Sequence, residues 1–205
     1  TGYSSSYYEA LEYNQSIFCV KNHNYSSTGS FYTLYNLREY INDDFLLLES
    51  DILYEKRALA VLINNLKSDV ILASGKTGSG DEVFIEVRKN NCLFTLSKNQ
   101  SNLSNVYGEL VGISKFTLYT YQILCKWAEH NMKLVKKIHY EEALAEISDK
   151  KDLYVEKIDD FAVNDSISEI AFLAKGLLQL QHARYPHLVP MYRTVHRKIP
   201  REMVF

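Results

Sequence analysis

Cysteine and net charge are both scarce in this chain. Its 205 residues include three cysteines, Cys19, Cys92 and Cys125, which are widely spaced and form no Cys-x-x-Cys pair. This pattern excludes a disulfide framework and the common zinc motifs, and it predicts buried, reduced thiols in a cytoplasmic protein. A net charge of −2 provides no general basic field, so nucleic-acid binding is not indicated.

Long apolar runs are absent as well. The apolar segments are far shorter than the roughly 20 residues that a membrane-spanning helix needs, so no membrane partner is indicated. A hydrophobic fraction of 46% and a charged fraction of 23% are those of an ordinary globular domain. The length suits one domain with a sizeable core.

Proline is confined to the C-terminal region. The three prolines are Pro186, Pro190 and Pro200, and arginine and lysine residues surround them. We therefore predict a folded domain over residues 1–183 and a basic, proline-containing tail over residues 184–205. Such a tail is either a surface arm that contacts a partner or a frayed end, and the sequence leaves both open.

The most informative segment is an apolar run that ends in acids. Phe45 to Leu48 are four consecutive large apolar residues, and Glu49 and Asp51 follow closely. The run predicts a strand buried on both faces, and open α/β sheets bind ligands beyond the carboxyl ends of such strands. Asp51 is therefore either a metal ligand that faces phosphates or part of an acidic loop cap. The spacing alone favours neither.

Strand and helix patterns alternate along the chain. Apolar runs at residues 69–74, 110–116 and 153–158 predict strands, and segments with helical periodicity separate them. This order predicts a doubly wound α/β sheet that is mainly parallel and flanked by helices. Residues 82–87 and 92–96 predict a hairpin, whose antiparallel strands would make the sheet mixed.

Several blocks resemble bacterial nucleotidyltransferases when they are read in order. The block from Asn22 to Tyr35 resembles the family's Asn-x-x-Tyr…Thr-Gly-Ser-x-Tyr-Ser-Leu stretch, and Asp44 to Glu55 resembles its leucine-rich strand with the acidic motif and Tyr-Glu. The similarity extends over residues 1–165, and the closest branch comprises cytidylyltransferases that act on phosphocholine or 2-aminoethylphosphonate. Four further blocks follow in the family's order: Ser79 to Ile85, Glu109 to Lys115, Tyr140 to Leu144 and Tyr154 to Ile158.

The resemblance implies a Rossmann-like, GT-A-like fold and a specific reaction. An oxygen of a phosphorylated or phosphonate acceptor attacks the α-phosphorus of CTP in line, and pyrophosphate leaves. Charge neutralisation and positioning supply most of the catalysis in such a reaction. Mg²⁺ is the implied cofactor, because it bridges phosphate oxygens and prefers carboxylate ligands.

The resemblance also implies roles for individual residues. Asp51 matches the metal-binding aspartate, and Lys115 matches a catalytic cation that would contact the acceptor's phosphoryl group. Alternative structural roles remain open, such as a solvated strand end for Lys115, a core-edge aromatic for Tyr140 and a first-turn acid for Glu141. The resemblance further assigns nucleotide binding to Thr28, Gly29 and Ser30, and acceptor binding to Glu82, Tyr140 and Glu141. The aromatic face of Tyr140 and the carboxylate of Glu141 suit the ammonium group of the acceptor.

Two departures from the family pattern stand against a complete site. The family begins with a glycine-rich phosphate loop that nothing here matches, because the Gly75 to Gly80 loop follows the metal motif. The sequence is thus expected to represent an N-terminally truncated version, whose open sheet edge either a homodimer or a separately encoded N-terminal piece would cover. Near the C-terminal acidic motif, Ala162 and Asn164 replace acids, so the implied metal ligands are Asn164 and, after a one-residue slip, Asp165.

These departures leave two further hypotheses. The first is a non-catalytic relative that keeps the fold and acts as a binding or partner subunit. The second is a GT-A glycosyltransferase, since Glu49-Ser50-Asp51 has the acid spacing of such enzymes, although the Thr-Gly-Ser and Gly-Ile-Ser-Lys blocks argue against it.

Overall fold

The computed structural model describes residues 1–10, 12, 17–49, 56–78 and 80–158. Two short 3₁₀ turns, Tyr25–Ser27 and Gln100–Asn102, accompany the regular elements. The helices are α1 (Ser5–Glu9), α2 (Ser30–Tyr35), α3 (Lys56–Asn64), α4 (Leu118–His130), α5 (Met132–Val135) and α6 (Tyr140–Ile147). The strands are β1 (Phe45–Leu48), β2 (Val70–Ser74), β3 (Phe84–Val87), β4 (Leu93–Ser97), β5 (Gly108–Phe116) and β6 (Tyr154–Ile158).

The six strands form one mixed sheet with helices packed against it. Their order is β4-β3-β5-β2-β6, and β1 also pairs with β5. The predicted mixed α/β fold class is therefore confirmed. The expectation of a mainly parallel sheet is wrong for the described strands, where β2 and β6 form the one parallel pair. The cause is β5, which is antiparallel to β1, β2 and β3.

The direction of the strands decides which residues share an end of the sheet. Because β1, β2 and β3 each oppose β5, and β6 is parallel to β2, these four strands point the same way. Leu48, Ser74 and Ile158 end β1, β2 and β6, and they define what we call the carboxyl end of the sheet. β1 and β3 both pair with the edge of β5 that β2 leaves open. Gly112, with φ of 80°, lies where the register of β2 and β5 shifts.

The main core lies between one face of the sheet and helices α2, α4 and α6. Aromatic side chains fill much of it, and the hydroxyl group of Tyr121 donates to the Leu34 carbonyl at 2.7 Å. Helix α3 packs against β2 and β5. Successive strand side chains point to opposite faces, so Val70 and Leu72 face α3, while Ile71 and Ala73 face the main core.

Several boundaries differ from the sequence-based expectations. Residues 17–21 form neither a helix nor a strand, although the apolar run within them is typical of a strand. All described residues belong to one compact unit, Thr1–Ala162. The predicted domain boundary at residue 183 and the basic tail lie outside the described residues. No helix in the described part of the chain is long and apolar enough to span a membrane.

Candidate active site

Glu49 lies at the carboxyl end of the sheet, directly after β1. Its backbone N–H donates to the Gly112 carbonyl at 2.9 Å, which extends the pairing of β1 with β5 by one residue. Its side chain lies on the main-core face, as Phe45 and Leu47 do, because strand side chains alternate. Glu49 Oε1 accepts a hydrogen bond of 2.5 Å from the Tyr140 hydroxyl group. The predicted metal ligand Asp51 lies outside the described residues.

Tyr140 and Glu141 lie in the first turn of α6, and Tyr140 reaches Glu49 from across the core. Both are buried, with exposed fractions of 6% and 8%. The N–H of the preceding residue, His139, donates to Glu142 Oε2 at 2.7 Å, which satisfies a donor that the helix start leaves open. A carboxylate this buried is costly unless charge or hydrogen bonding compensates it. The structure thus brings Tyr140, one of the residues assigned to the acceptor, together with the acid after β1.

The Thr28-Gly29-Ser30 motif joins α2 to the start of α6. Ser30 Oγ accepts from the Tyr140 N–H at 3.1 Å and lies 3.3 Å from His139 Nδ1. The Gly29 N–H donates to the Lys136 carbonyl at 3.1 Å. This amide is therefore already bonded within the protein, although the sequence assigned it to the nucleotide. A Cβ atom on Gly29 would lie 2.0 Å from the Ile138 carbonyl oxygen, so glycine is required here.

Asn22 organises the same segment, and sequence reasoning assigned it no role. It is 2% exposed, and its side-chain amide donates to Thr28 Oγ1 at 3.0 Å and to Thr33 Oγ1 at 2.9 Å. Its Oδ1 accepts from the Asn24 N–H at 2.9 Å. The Asn of the Asn-x-x-Tyr block is therefore a structural residue that fixes the Thr-Gly-Ser turn. The one sequence feature that pointed to Asn22 was its position at the start of that block.

The hairpin of β3 and β4 adds a cation and an acid that sequence reasoning also missed. Lys98 follows β4 directly, and its Nζ lies 2.7 Å from Asp81 Oδ1 in the loop before β3. The assigned acceptor ligand Glu82 is next to Asp81, and Glu82 Oε1 accepts from the Gly80 N–H at 3.1 Å. Glu82 lies directly before Val83, which packs on the main core.

Acidic side chains near three elements influence the pKa of Lys98. Its hydrogen bond with Asp81 raises the pKa of Lys98, burial opposes this, and the charges of Asp81, Glu141 and Glu49 add to the increase. The same bond lowers the pKa of Asp81, with a small contribution from the charge of His139. The ends of β1 and β4 and the start of α6 therefore form one electrostatically connected group.

Lys115, for which the family resemblance implied a catalytic role, does not join this group. It pairs with Leu46 and Val70 in the first halves of β1 and β2, at the opposite end of the sheet from Glu49. Its Nζ donates to the Asn65 carbonyl after α3 at 2.9 Å, on the face away from the main core. The reason is the direction of β5, whose antiparallel course carries its last residues away from the carboxyl ends of β1 and β2.

The expected magnesium ligands are not located by the structure. Asp51, Asn164 and Asp165 all lie outside the described residues. Among the residues that the structure does describe, no group of three or more histidine, cysteine, aspartate or glutamate side chains could hold a metal ion. The magnesium assignment therefore stays a prediction.

Solved structures with a similar fold are known. The inositol-1-phosphate CTP transferase from T. maritima matches with a TM-score of 0.64 and 14% identity, over 82% of this chain and 69% of that one. The CTP:phosphocholine cytidylyltransferase LicC from Streptococcus pneumoniae matches with a TM-score of 0.63 and 15% identity, over 85% and 75%. The chain has a nucleotidyltransferase fold. No family model matches its sequence.

A third similar structure broadens the comparison. It is a putative glucose-1-phosphate thymidylyltransferase from Bacillus anthracis, with a TM-score of 0.53 and 7% identity, over 74% of this chain and 61% of that one. At such identities the nucleotidyltransferase likeness extends to the fold alone. The chemistry must therefore be argued from the side chains at the carboxyl end of the sheet.

Proposed function

We propose that this chain transfers a cytidylyl group from CTP to an acceptor that carries a phosphate or phosphonate and a cationic amine. One observation carries the proposal, the 2.5 Å hydrogen bond from the Tyr140 hydroxyl group to Glu49. It connects the acidic end of β1, where this type of fold binds its ligands, to the turn that contains the buried Glu141. That two of the similar structures are CTP transferases supports the choice of nucleotide.

The amine-binding role falls on the first turn of α6. A buried carboxylate next to an aromatic side chain suits an ammonium group, because the carboxylate neutralises its charge and the ring face attracts it. Among the described residues, no hydrogen bond or ion pair occupies the Glu141 carboxylate. The bond from Tyr140 to Glu49 keeps the phenol ring in a fixed orientation beside it.

The metal-binding role falls on acids that follow β1 and β6 in the sequence. Bound Mg²⁺ would neutralise phosphate charge during the in-line displacement. We assign it to Asp51, with Asn164 or Asp165 as the further ligand that the family resemblance implies. The sequence offers a second choice, because Asp159 and Asp160 follow β6 directly, and β6 ends at the carboxyl end of the sheet. Sequence reasoning passed over these two carboxylates.

The test measures nucleotide binding and turnover separately. We expect CTP with Mg²⁺ to raise the thermal midpoint of the wild-type chain and the Asp51→Asn variant to lose that increase. Pyrophosphate release should require CTP and an acceptor such as phosphocholine together. Lys115→Gln serves as the control, because Lys115 lies at the opposite end of the sheet and should leave both signals unchanged.

The alternatives predict different results. A non-catalytic relative would bind a partner or a nucleotide without releasing pyrophosphate. A glycosyltransferase would release a nucleoside diphosphate from a sugar nucleotide. The absence of any midpoint change with CTP, UTP, ATP or GTP at millimolar concentration would contradict the proposed function.

A further inference from the structure

The fold brings the cation Lys98 to the group around Glu49. The pairing of β3 with β4 matches Phe84 with Ser97, so Lys98 continues the register opposite Val83. The Val83 carbonyl accepts from the Leu110 N–H on β5, two residues from the Gly112 carbonyl that accepts from Glu49. The ends of β1 and β4 and the start of β3 are therefore neighbours along β5.

The side chain of Lys98 also lies on the appropriate face. Leu96 in β4 is buried in the main core, and Lys98 follows two residues later, directly after the strand, so a continued alternation would direct it to the same face. Helix α6 packs against β4 on this face, and it contributes Tyr140 and Glu141. Lys98 thus lies on the face that holds the proposed amine-binding residues, whereas Lys115 lies on the other.

The ion pair that Lys98 makes is open to solvent. The exposed fractions of the Lys98 and Asp81 side chains are 56% and 84%. Such an exposed pair is weak, because water solvates both charges and competes for the contact. An anion that reaches the site can therefore replace Asp81 as the partner of the Lys98 ammonium group at a small free-energy cost. The Asp81 carboxylate, which is already largely exposed, is then solvated by water alone.

We propose that Lys98 binds the phosphate or phosphonate group of the acceptor while Glu141 binds its amine. This inference rests on the proposed function and assigns the acceptor's anion to a residue. A zwitterion with its charges two carbons apart matches a site that presents an ammonium group and a buried carboxylate together. Because water screens isolated exposed charges, the two contacts favour an acceptor that carries both groups over one that carries either alone.

Binding measurements with matched ligands test the assignment. Calorimetry on the chain with Mg²⁺ and a CTP analogue that cannot release pyrophosphate, because a methylene group replaces the oxygen between its α- and β-phosphorus atoms, compares phosphocholine with choline, which lacks the phosphate. We expect Lys98→Gln to weaken phosphocholine binding about ten- to hundredfold, as loss of a charged hydrogen bond predicts, and to leave choline binding unchanged. Lys98→Arg should restore part of the affinity. In turnover, Lys98→Gln should raise the KM for phosphocholine and leave the KM for CTP unchanged.

The outcomes separate this inference from the proposed function. If the wild-type chain binds CTP and phosphocholine and Lys98→Gln keeps full phosphocholine affinity, the Lys98 assignment is wrong and nucleotidyl transfer stands. If Lys98→Gln weakens CTP binding instead, the lysine serves the nucleotide and the assignment is also wrong. If the wild-type chain binds neither ligand, both proposals are wrong. The control Lys115→Gln should match the wild type throughout.

Discussion

Asp69 forms a buried ion pair at the end of the sheet opposite the candidate site, and its removal should destabilise the fold. Its side chain is 2% exposed, and its Oδ2 lies 2.8 Å from Lys151 Nζ. Its Oδ1 accepts from the Thr117 N–H at 2.8 Å and from the Thr117 hydroxyl group at 3.0 Å. Thr117 is also the N-cap of α4, so one carboxylate joins the starts of β2 and α4 to the loop before β6.

The expected magnitude follows from the burial of the pair. Removing one partner of a buried ion pair costs about 3–5 kcal/mol, because the other charge stays desolvated. Lys151 is 24% exposed and keeps some solvation, so Asp69→Asn should lie near the lower end, at about 3 kcal/mol. For a chain of this size each kcal/mol lowers the thermal midpoint by about 2–4 °C, which gives about 6–12 °C in total.

The matched control is the exposed pair of Asp81 and Lys98. Its separation of 2.7 Å is nearly that of the Asp69 pair, but its side chains are 84% and 56% exposed. Asp81→Asn should therefore cost less than about 1 kcal/mol. Urea denaturation and thermal melting of both variants measure the difference. Equal losses would refute the reasoning that burial, and not the contact distance, sets the strength of these pairs.

The remaining predictions concern pH, one glycine and the proposed site. Burial tends to raise the pKa of Asp69, but hydrogen bonds from Lys151, Thr117 and Thr120 outweigh it and lower the pKa. The ionised Asp69 therefore stabilises the fold above about pH 4, and this stabilisation is lost as the pH falls through the folded-state pKa of Asp69. In urea denaturation, the free energy of unfolding of Asp69→Asn should thus decrease less on acidification than that of the wild type. Gly29→Ala should destabilise by about 3 kcal/mol or more, because its Cβ meets a carbonyl oxygen at 2.0 Å, while Gly75→Ala, with open space, should not. Tyr140→Phe should cost about 1–2 kcal/mol in urea denaturation and raise the KM for phosphocholine, because Glu49 loses its 2.5 Å bond.

The sequence predicted the elements of the fold better than their directions. The apolar runs that became β1, β2, β5 and β6 were identified because strands in a core favour apolar side chains over several residues. The expectation that β1 is buried on both faces is wrong, since Phe45 to Leu47 are only partly buried and Leu48 is exposed. The directions of the strands depend on connections that local patterns do not encode. The chain passes from the hairpin into β5 without an intervening α-helix. The resulting pairs of β5 are antiparallel, whereas the alternation of strands and helices in the sequence predicted parallel pairs.

The same limit explains which site residues the sequence could identify. Tyr140 meets Glu49 because Tyr140 begins α6 and Glu49 directly follows β1. Asn22 was missed because a buried polar side chain in a turn-rich segment looks like any loop residue. Its role depends on two hydroxyl groups up to eleven residues away, which only the folded chain brings within hydrogen-bond distance.

Lys98 and Lys115 show how the direction of a strand decides at which end of the sheet a side chain lies. Lys98 directly follows β4, and Lys115 is the last residue but one of β5. Their local sequences, Leu-Ser-Lys and Ile-Ser-Lys, are nearly the same. The register places Lys98 beside the start of β3 and Lys115 beside the first half of β1. An acceptor at the carboxyl end of the sheet can therefore meet the first lysine and not the second. Exchanging lysine for glutamine at each position tests this difference within one fold, with the same change of charge at both.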